Sequence, residues 1–333
     1  MRLLEYARTV VRNRRGQVPR PSWCTYLVTY RCNARCRMCD SWQLPAGREM
    51  TVEEVRTVFS KVGRLDVVRL PGGEPFLRRD FPELARTVLE VSRPLVLHVT
   101  TNGSFPARVA RFAERFPLPK RLQILVSFDG LRETHDASRG RAVRFDSAME
   151  TVRRLAAIRC ARGVRVAANH TVISAASLRD AEPLRRGLAA LGIPVQTVLA
   201  YEDSSMYGAE RQGACSNDLV AAGEYPLHPD LDRDQATAFV ADEIERIDRM
   251  GDWSLRWGKR YYLEGLHGRL TGAAPPRPDP PCVALRSHLR LLPDGGVPVC
   301  QFNTSRVGSL LEESFEAVWH GRDAENSRRW VDA

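Results

Sequence analysis

The chain has 333 residues, a formal net charge of +10, and 43% hydrophobic and 27% charged residues, the composition of an ordinary soluble protein with room for one large α/β core and an appendage. No apolar run approaches the roughly 20 residues of a membrane span, and Glu5 and Arg8 interrupt the apolar part of the N-terminal MRLLEYARTVVRNRRG, which excludes a secretory signal and leaves a short amphipathic helix in a cytoplasmic protein. The charge does not build a nucleic-acid face: lysine occurs only at 61, 120 and 259, and the arginines are scattered, the one tight group (Arg12, Arg14, Arg15, Arg20) reading first as a solvated tail and second as a contact for RNA or an acidic partner.

Residues 1–22 form an N-terminal extension. From 23 to 205 short β-branched runs alternate with helical patterns, the signature of βα units around a parallel sheet. Strands are predicted near 24–30, 66–70, 95–100, 122–127, 164–172 and 194–200. Helices are predicted near 51–62, 81–92, 106–115, 146–161 and 178–191. Thr51 with Glu54 three residues later makes a capping box for the first of them. Six such units predict an α/β fold, an open partial (β/α)6 TIM-like barrel.

Parallel barrels place their chemistry where strands end, and the unusual residues gather there. A cysteine triplet follows the first strand, Gly72-Gly73-Glu74-Pro75 the second, Thr101-Asn102-Gly103 the third and Ser127-Phe128-Asp129-Gly130 the fourth. Asn169 and His170 lie late in the fifth, and Tyr201-Glu202-Asp203 follow the sixth. Residues 206–275 connect: loop-like at first, helical near 233–250, then aromatic at Trp253, Trp257, Tyr261 and Tyr262. The proline-dense TGAAPPRPDPP at 271–281 is a linker. It introduces a small C-terminal module over 276–333, with Cys282, Cys300 and a final helix near 312–330.

Eight cysteines in such a chain are not a disulfide framework. Three of them, Cys32, Cys36 and Cys39 in RCNARCRMCD, fall in one loop straight after a strand. A four-iron cubane normally takes four cysteines, so three thiolates leave one iron open. That iron can bind the nitrogen and carboxylate oxygen at the methionine end of S-adenosylmethionine. The competing reading is a zinc knuckle, which wants a fourth nearby Cys or His; none lies close in sequence.

The triplet and its position resemble the radical S-adenosylmethionine superfamily, and the resemblance extends over the first two thirds of the chain. It implies a [4Fe-4S] cluster on Cys32, Cys36 and Cys39 and reductive cleavage of S-adenosylmethionine to methionine and a 5′-deoxyadenosyl radical. It further implies that Met38 packs on the adenine, where an aromatic is more usual. Gly72, Gly73 and Glu74 would receive the methionine amino group, Ser127 and Arg139 would hold ribose and carboxylate, and Asn169 would reach a ribose hydroxyl. Thr101-Asn102-Gly103 is a shaping turn.

Cys282 and Cys300, with VGSLLEESFEAVWHGRD after them, resemble the opening of the SPASM and twitch modules, which carry an auxiliary iron–sulfur cluster. Such modules normally finish with a C-x2-C pair, and Ala333 falls near where it would begin. The chain is then either cut short or has two obvious ligands, and two simply buried thiols remain the alternative. Cys24 and Cys160 read as core residues. Cys215 is an auxiliary ligand, a hydrogen-atom donor to a substrate radical, or an idle loop thiol.

For the substrate the candidates are Tyr201, Glu202, Asp203, Tyr207, Trp257 and His267, each equally readable as core or solvated loop. The first expectation is a small polar molecule (sugar, aminocyclitol or nucleoside) in natural-product biosynthesis. A carboxylate and the auxiliary cluster would serve dehydrogenation, and Cys215 would serve epimerisation. A peptide maturase is the second, weakened because only about 20 residues precede the first strand, too few for a recognition domain; an RNA-modifying radical enzyme is the third. The expected partner is an electron donor such as flavodoxin or ferredoxin.

Overall fold

The computed structural model describes residues 17–140, 144–201, 225–249, 253–273 and 282–332, with a few isolated positions before residue 17. Seven strands form one parallel sheet in the order β6-β5-β4-β3-β2-β1-β7. They are β1 (Trp23–Tyr26), β2 (Val67–Leu70), β3 (Val96–Thr101), β4 (Leu122–Phe128), β5 (Arg165–Val172), β6 (Val195–Leu199) and β7 (His288–Leu291). The first six are those expected from the β-branched runs. β7 is an addition: it comes from the C-terminal module and pairs parallel with β1, Thr25 opposite Arg290. Its run HLRL is too short and too polar to stand out as a strand in the sequence.

Helices α1 (Val52–Val62), α2 (Phe81–Ser92), α3 (Pro106–Arg115), α4 (Arg132–Arg139), α5 (Arg144–Arg162) and α6 (Ala175–Ala189) return the chain between strands. α1 begins in the expected capping box: Glu54 N–H donates to Thr51 Oγ1 at 3.3 Å and Thr51 N–H to the Glu54 carboxylate at 2.9 Å. Alternation sorts each strand into two faces. Cys24, Val68, Leu97, Ile124 and Val166 face outward into the main core with Val55, Phe59, Leu84 and Phe112 of the helices. Their neighbours Thr25, Arg69, His98, Gln123 and Arg165 lie in one register line on the inner face.

The aromatic segment at 253–262 is the first half of α8 (Trp253–Thr271), which packs with α7 (Arg233–Asp248) in a second core around Val172 and Leu199. The expected final helix divides into α9 (Phe315–Trp319) and α10 (Arg322–Asp332). The break is at Gly321, where a side chain would collide with the Ala317 carbonyl oxygen. Between β7 and α9 lies a hairpin of β8 (Gly296–Pro298) and β9 (Arg306–Ser309).

The C-terminal module shares the main core through Leu289, Val297, Phe315 and Trp319. Lys61 at the end of α1 donates to the carbonyls of Leu310 and Glu313, each at 2.7 Å, and Trp319 Nε1 donates to Pro19 O at 3.1 Å. Cys24 is buried as expected, whereas Cys160 is exposed near the end of α5 and is not a core residue. No helix among the described residues is long and apolar enough to cross a membrane.

Candidate active site

The cysteine loop leaves β1 and is fastened from the far side by α4. Arg35 N–H donates to Arg139 O at 3.1 Å and Arg37 N–H to Ser138 O at 2.9 Å. The chain can come this close because α4 ends in Gly140 at φ +68°, where a side chain would stand 2.9 Å from Arg35 O. Cys32, Cys36 and Cys39 are half-buried and lie near enough to influence one another's charge. Burial pushes the Cys32 thiol up to about 11 and the Cys36 thiol to about 12, partly offset for both by the nearby Arg139 guanidinium. Thiols in such surroundings become thiolates when a metal takes the place of the proton.

The donors around these sulfurs fit that outcome. Ala34 N–H reaches Cys32 Sγ at 3.4 Å and Asn102 Nδ2 lies 4.0 Å from the same sulfur, while the Cys39 thiol itself donates to Ser41 Oγ at 3.5 Å. Among the described residues no three His, Cys, Asp or Glu side chains are gathered tightly enough to hold a single metal ion. A cubane instead spreads its thiolates over separate irons, and the three-cysteine loop fits that group better than a zinc knuckle.

Gly72 and Gly73 lie directly against the strand-to-loop segment. Gly73 N–H donates to Thr29 O at 2.8 Å and Glu74 N–H to Arg31 O at 2.9 Å. A side chain at Gly72 would stand 2.6 Å from Thr29 O, and one at Gly73 would collide with Arg31 O. Glu74 is completely buried. Its carboxylate accepts from Phe76 N–H at 3.2 Å, Thr101 Oγ1 at 2.8 Å and Asn102 N–H at 2.7 Å. It thus joins the ends of β2 and β3. Burial raises its pKa to about 6 against the pull of those donors. Asn102 donates in turn to Asn33 Oδ1 at 2.9 Å, so the Thr101-Asn102-Gly103 turn shapes the cysteine loop.

Arg139 is placed differently from the expected carboxylate grip. Its Nε and Nη2 donate to the two oxygens of Asp129, both at 2.8 Å, and Ser138 Oγ adds a third bond at 2.9 Å. The guanidinium fork closes on a buried aspartate at the end of β4. Burial opposes the Asp129 charge, but Arg139 and Ser138 hold its pKa below the usual value. Sequence reading named both residues and missed the pair, because their ten-residue separation acquires meaning only once α4 folds back. Ser127 and Asn169 do come together, opposite one another in the β4–β5 register on the inner face. Met38 is half-buried in the cysteine loop.

Tyr201 follows β6 and packs against Tyr225 and Phe302, with ring centroids 5.1 and 5.0 Å away. Trp257 is 71% exposed on α8, stacked on Tyr261, and His267 lies on the same helix. Glu202, Asp203, Tyr207 and Cys215 lie outside the described residues. Cys282 and Cys300 are half-buried, and Cys300 Sγ accepts two backbone N–H bonds, from Phe302 and Asn303, both at 3.3 Å. Such a turn, with amides pointing at sulfur, suits a metal-bound thiolate.

The sequence model of the radical SAM superfamily matches residues 26–186, the stretch that carries the triplet, the two glycines, Ser127, Arg139 and Asn169. Residues 26–186 are a radical SAM domain. A second model, the SPASM iron–sulfur cluster-binding domain, matches residues 282–332, which contain Cys282 and Cys300. The radical SAM domain implies a [4Fe-4S] cluster with S-adenosylmethionine, and the SPASM domain implies auxiliary iron–sulfur binding.

Similar curated proteins include GTP 3′,8-cyclase of Acidothermus cellulolyticus, 39% identical over 94 residues, which are 25% of this chain and 26% of that protein. Fe-coproporphyrin III synthase of Methanosarcina barkeri is 32% identical over 126 residues (37% and 31%), and pre-heme d1 synthase of Dinoroseobacter shibae 31% over 150 (44% and 35%). The chain thus matches between a quarter and about a third of these relatives' lengths.

Among solved radical SAM folds, Streptococcus suis SuiB bound to S-adenosylmethionine superposes with a TM-score of 0.67 at 13% identity, covering 98% of this chain and 72% of that one. Native anSMEcpe with bound AdoMet gives 0.65 at 15% identity, covering 94% and 84%. These likenesses extend the shared fold from the barrel through the C-terminal module.

Proposed function

We propose that this radical SAM enzyme acts on a small polar molecule of the sugar, aminocyclitol or nucleoside kind, held inside the open barrel. The observation behind this reading is the character of the inner face. A closed parallel barrel fills its interior with layers of Val, Ile and Leu. Here most of those residue types are on the outer face, and the inner face, beside Val67, Val96, Leu125 and Val198, carries Thr25, His98, Thr100, Gln123, Ser127, Asn169 and Gln196. Gln123, Ser127, Asn169 and Gln196 are all partly accessible. Such a lumen offers a hydrophilic molecule several hydrogen-bonding groups.

When bound, the cluster and S-adenosylmethionine supply a 5′-deoxyadenosyl radical able to abstract an unactivated hydrogen. The residues of this chain hold and orient: the cysteine loop is locked by the Asp129–Arg139 pair, Gly72 and Gly73 keep the second loop tight against it, and Ser127 with Asn169 offers a paired hydrogen-bonding edge for a ribose. The outcome is dehydrogenation or epimerisation in a biosynthetic route, in the cytoplasm, with electrons delivered by a flavodoxin or ferredoxin. Cys215 distinguishes the two, as the hydrogen donor that epimerisation requires.

The test is anaerobic incubation with dithionite, S-adenosylmethionine and panels of sugars, aminocyclitols and nucleosides in deuterated water. A member of these panels should accelerate 5′-deoxyadenosine formation above the substrate-free rate. Deuterium in the product, lost in Cys215→Ala, marks epimerisation, and its absence marks dehydrogenation. Acceleration by peptides alone would overturn the small-molecule reading.

A further inference from the structure

The register that aligns the strands also lines up charge. Reading across the inner face from β7 to β5, one row contains Arg290, Thr25, Arg69, His98, Gln123 and Arg165. Three arginines occupy a single row, and no strand from β1 to β7 places an aspartate or glutamate on this face. Neither Arg69 nor Arg165 pairs with a carboxylate among the described residues, whereas surface arginines such as Arg132, Arg154 and Arg260 do. Partial desolvation lowers the pKa of Arg69, although the residue, like Arg165, is exposed, and no counter-charge restores it. Like charges gathered in one row repel one another, and an anion that joins them relieves that repulsion.

His98 lies between Arg69 and Arg165 in the row and is 7% exposed. Its Nδ1 is buried without a hydrogen-bond partner among the described residues. Burial, with help from both guanidinium groups, depresses its pKa to about 3, so the ring is neutral and retains one N–H to donate. A cavity of about 430 Å³ beside Arg165 is lined by Val67, Leu95, Val96, Lys120, Arg121 and Arg165 itself, so that Lys120 and Arg121 add two further cations.

We propose that this row is a subsite for an oxyanion of the substrate, a phosphate or carboxylate held by Arg69 and Arg165 with His98 between them. The inference deepens the small-polar-substrate reading and rests on it. Gln123 lies four residues before Ser127 on β4, so the row sits about 13 Å along the strand from the ribose-facing pair. A substrate of phosphorylated-sugar or nucleotide length places its reacting carbon near S-adenosylmethionine and its anionic end among the arginines.

The test is calorimetric titration of the reconstituted holoenzyme with glycerol 3-phosphate and, separately, succinate. One of them should show a single saturable site, weakened at least about tenfold in Arg69→Gln and in Arg165→Gln and unchanged in Arg111→Gln on the outer helix α3. The probe that binds identifies the oxyanion. No saturable binding by either probe to about 50 mM, or equal affinity in all four proteins, would overturn the subsite. Arg165 is exposed at the first residue of β5, so Arg165→Gln carries the test alone should Arg69→Gln fail to fold. Substrate-free 5′-deoxyadenosine formation in the same samples keeps the readings apart. Its presence without anion binding removes the subsite only, and its absence removes the radical reading itself.

Discussion

Tyr201 and Phe302 meet edge to face, their ring centroids 5.0 Å apart and their planes at 84°. One follows β6 and the other belongs to the C-terminal module that supplies β7, so the contact joins the two open edges of the sheet. Tyr201, first considered for substrate contact, is thus also part of the closure of the barrel.

Phe302 is two residues from Cys300 and donates its amide to that sulfur. Phe302→Ala should lower stability by about 1–2 kcal/mol and change the electron paramagnetic resonance of the auxiliary cluster, with the signal of the first cluster intact. Tyr201→Phe keeps the ring contact but loses the hydroxyl's hydrogen bonds to Tyr225 and Gln301, and should leave both cluster signals unchanged. Equal disturbance of both cluster signals by Phe302→Ala would contradict this division.

The Asp129–Arg139 pair is buried and fastens α4 to the cysteine loop. Removing one member leaves a buried charge without its partner, at a cost of about 3–5 kcal/mol. Asp129→Asn should therefore reduce both melting temperature and iron content after reconstitution. The double variant Asp129→Leu with Arg139→Met should recover part of the stability but not the iron content, because the geometry that holds Arg35 and Arg37 is lost.

Gly73 and Gly187 make a matched comparison. A methyl group at Gly73 collides with backbone just before Cys32, while one at Gly187 in α6 meets nothing within 4 Å. Gly187→Ala should stabilise by about 0.5–1 kcal/mol through helix propensity. Gly73→Ala should weaken S-adenosylmethionine binding at least about tenfold, read by equilibrium dialysis of the holoprotein. Wild-type affinity in Gly73→Ala would mean that the loop yields at little cost.

His170 is completely buried on the outer face of β5, and neither ring nitrogen has a partner among the described residues. Burial lowers its pKa from 6.5 to about 4. Arg185 lowers it further, while Asp129, Asp180 and Glu243 oppose the shift. The unfolded chain then binds the proton first as pH falls, so stability is full above about pH 6.5 and declines toward pH 4. Between about pH 7.5 and 5.5 His170 accounts for about 1.5 kcal/mol of loss. Anaerobic urea unfolding should show His170→Leu less sensitive to acid over that range and no less stable at neutral pH. An unchanged pH slope would assign the acid sensitivity to other groups.

Much of this was legible because the signals are local. A β-branched run of five to eight residues flanked by Gly, Pro or Asn marks a strand wherever it finally pairs, and three thiols in eight residues mark a metal loop before any folding. The opposite holds for β7, for the Asp129–Arg139 pair and for the arginine row. Arg69, Arg165 and Arg290 are each unremarkable along the chain, and only the strand register places them side by side. The aromatic run at 253–262 was read by composition, and its helical periodicity was hidden by Gly258 and by exposed rings at Trp257, Tyr261 and Tyr262.

The pairing of β1 with β7 has a consequence for how the protein is made. β1 leaves the ribosome long before one of its two neighbours, which is encoded near residue 290. Until that stretch emerges, the nascent chain presents β1 with an unpaired edge, and the adjoining cysteine loop hangs from a half-assembled strand. Pairings of such high contact order form late. A cluster taken up by Cys32, Cys36 and Cys39 would therefore follow the synthesis of β7, and a stalled or nicked product lacking β7 would be both metal-poor and prone to edge-to-edge aggregation.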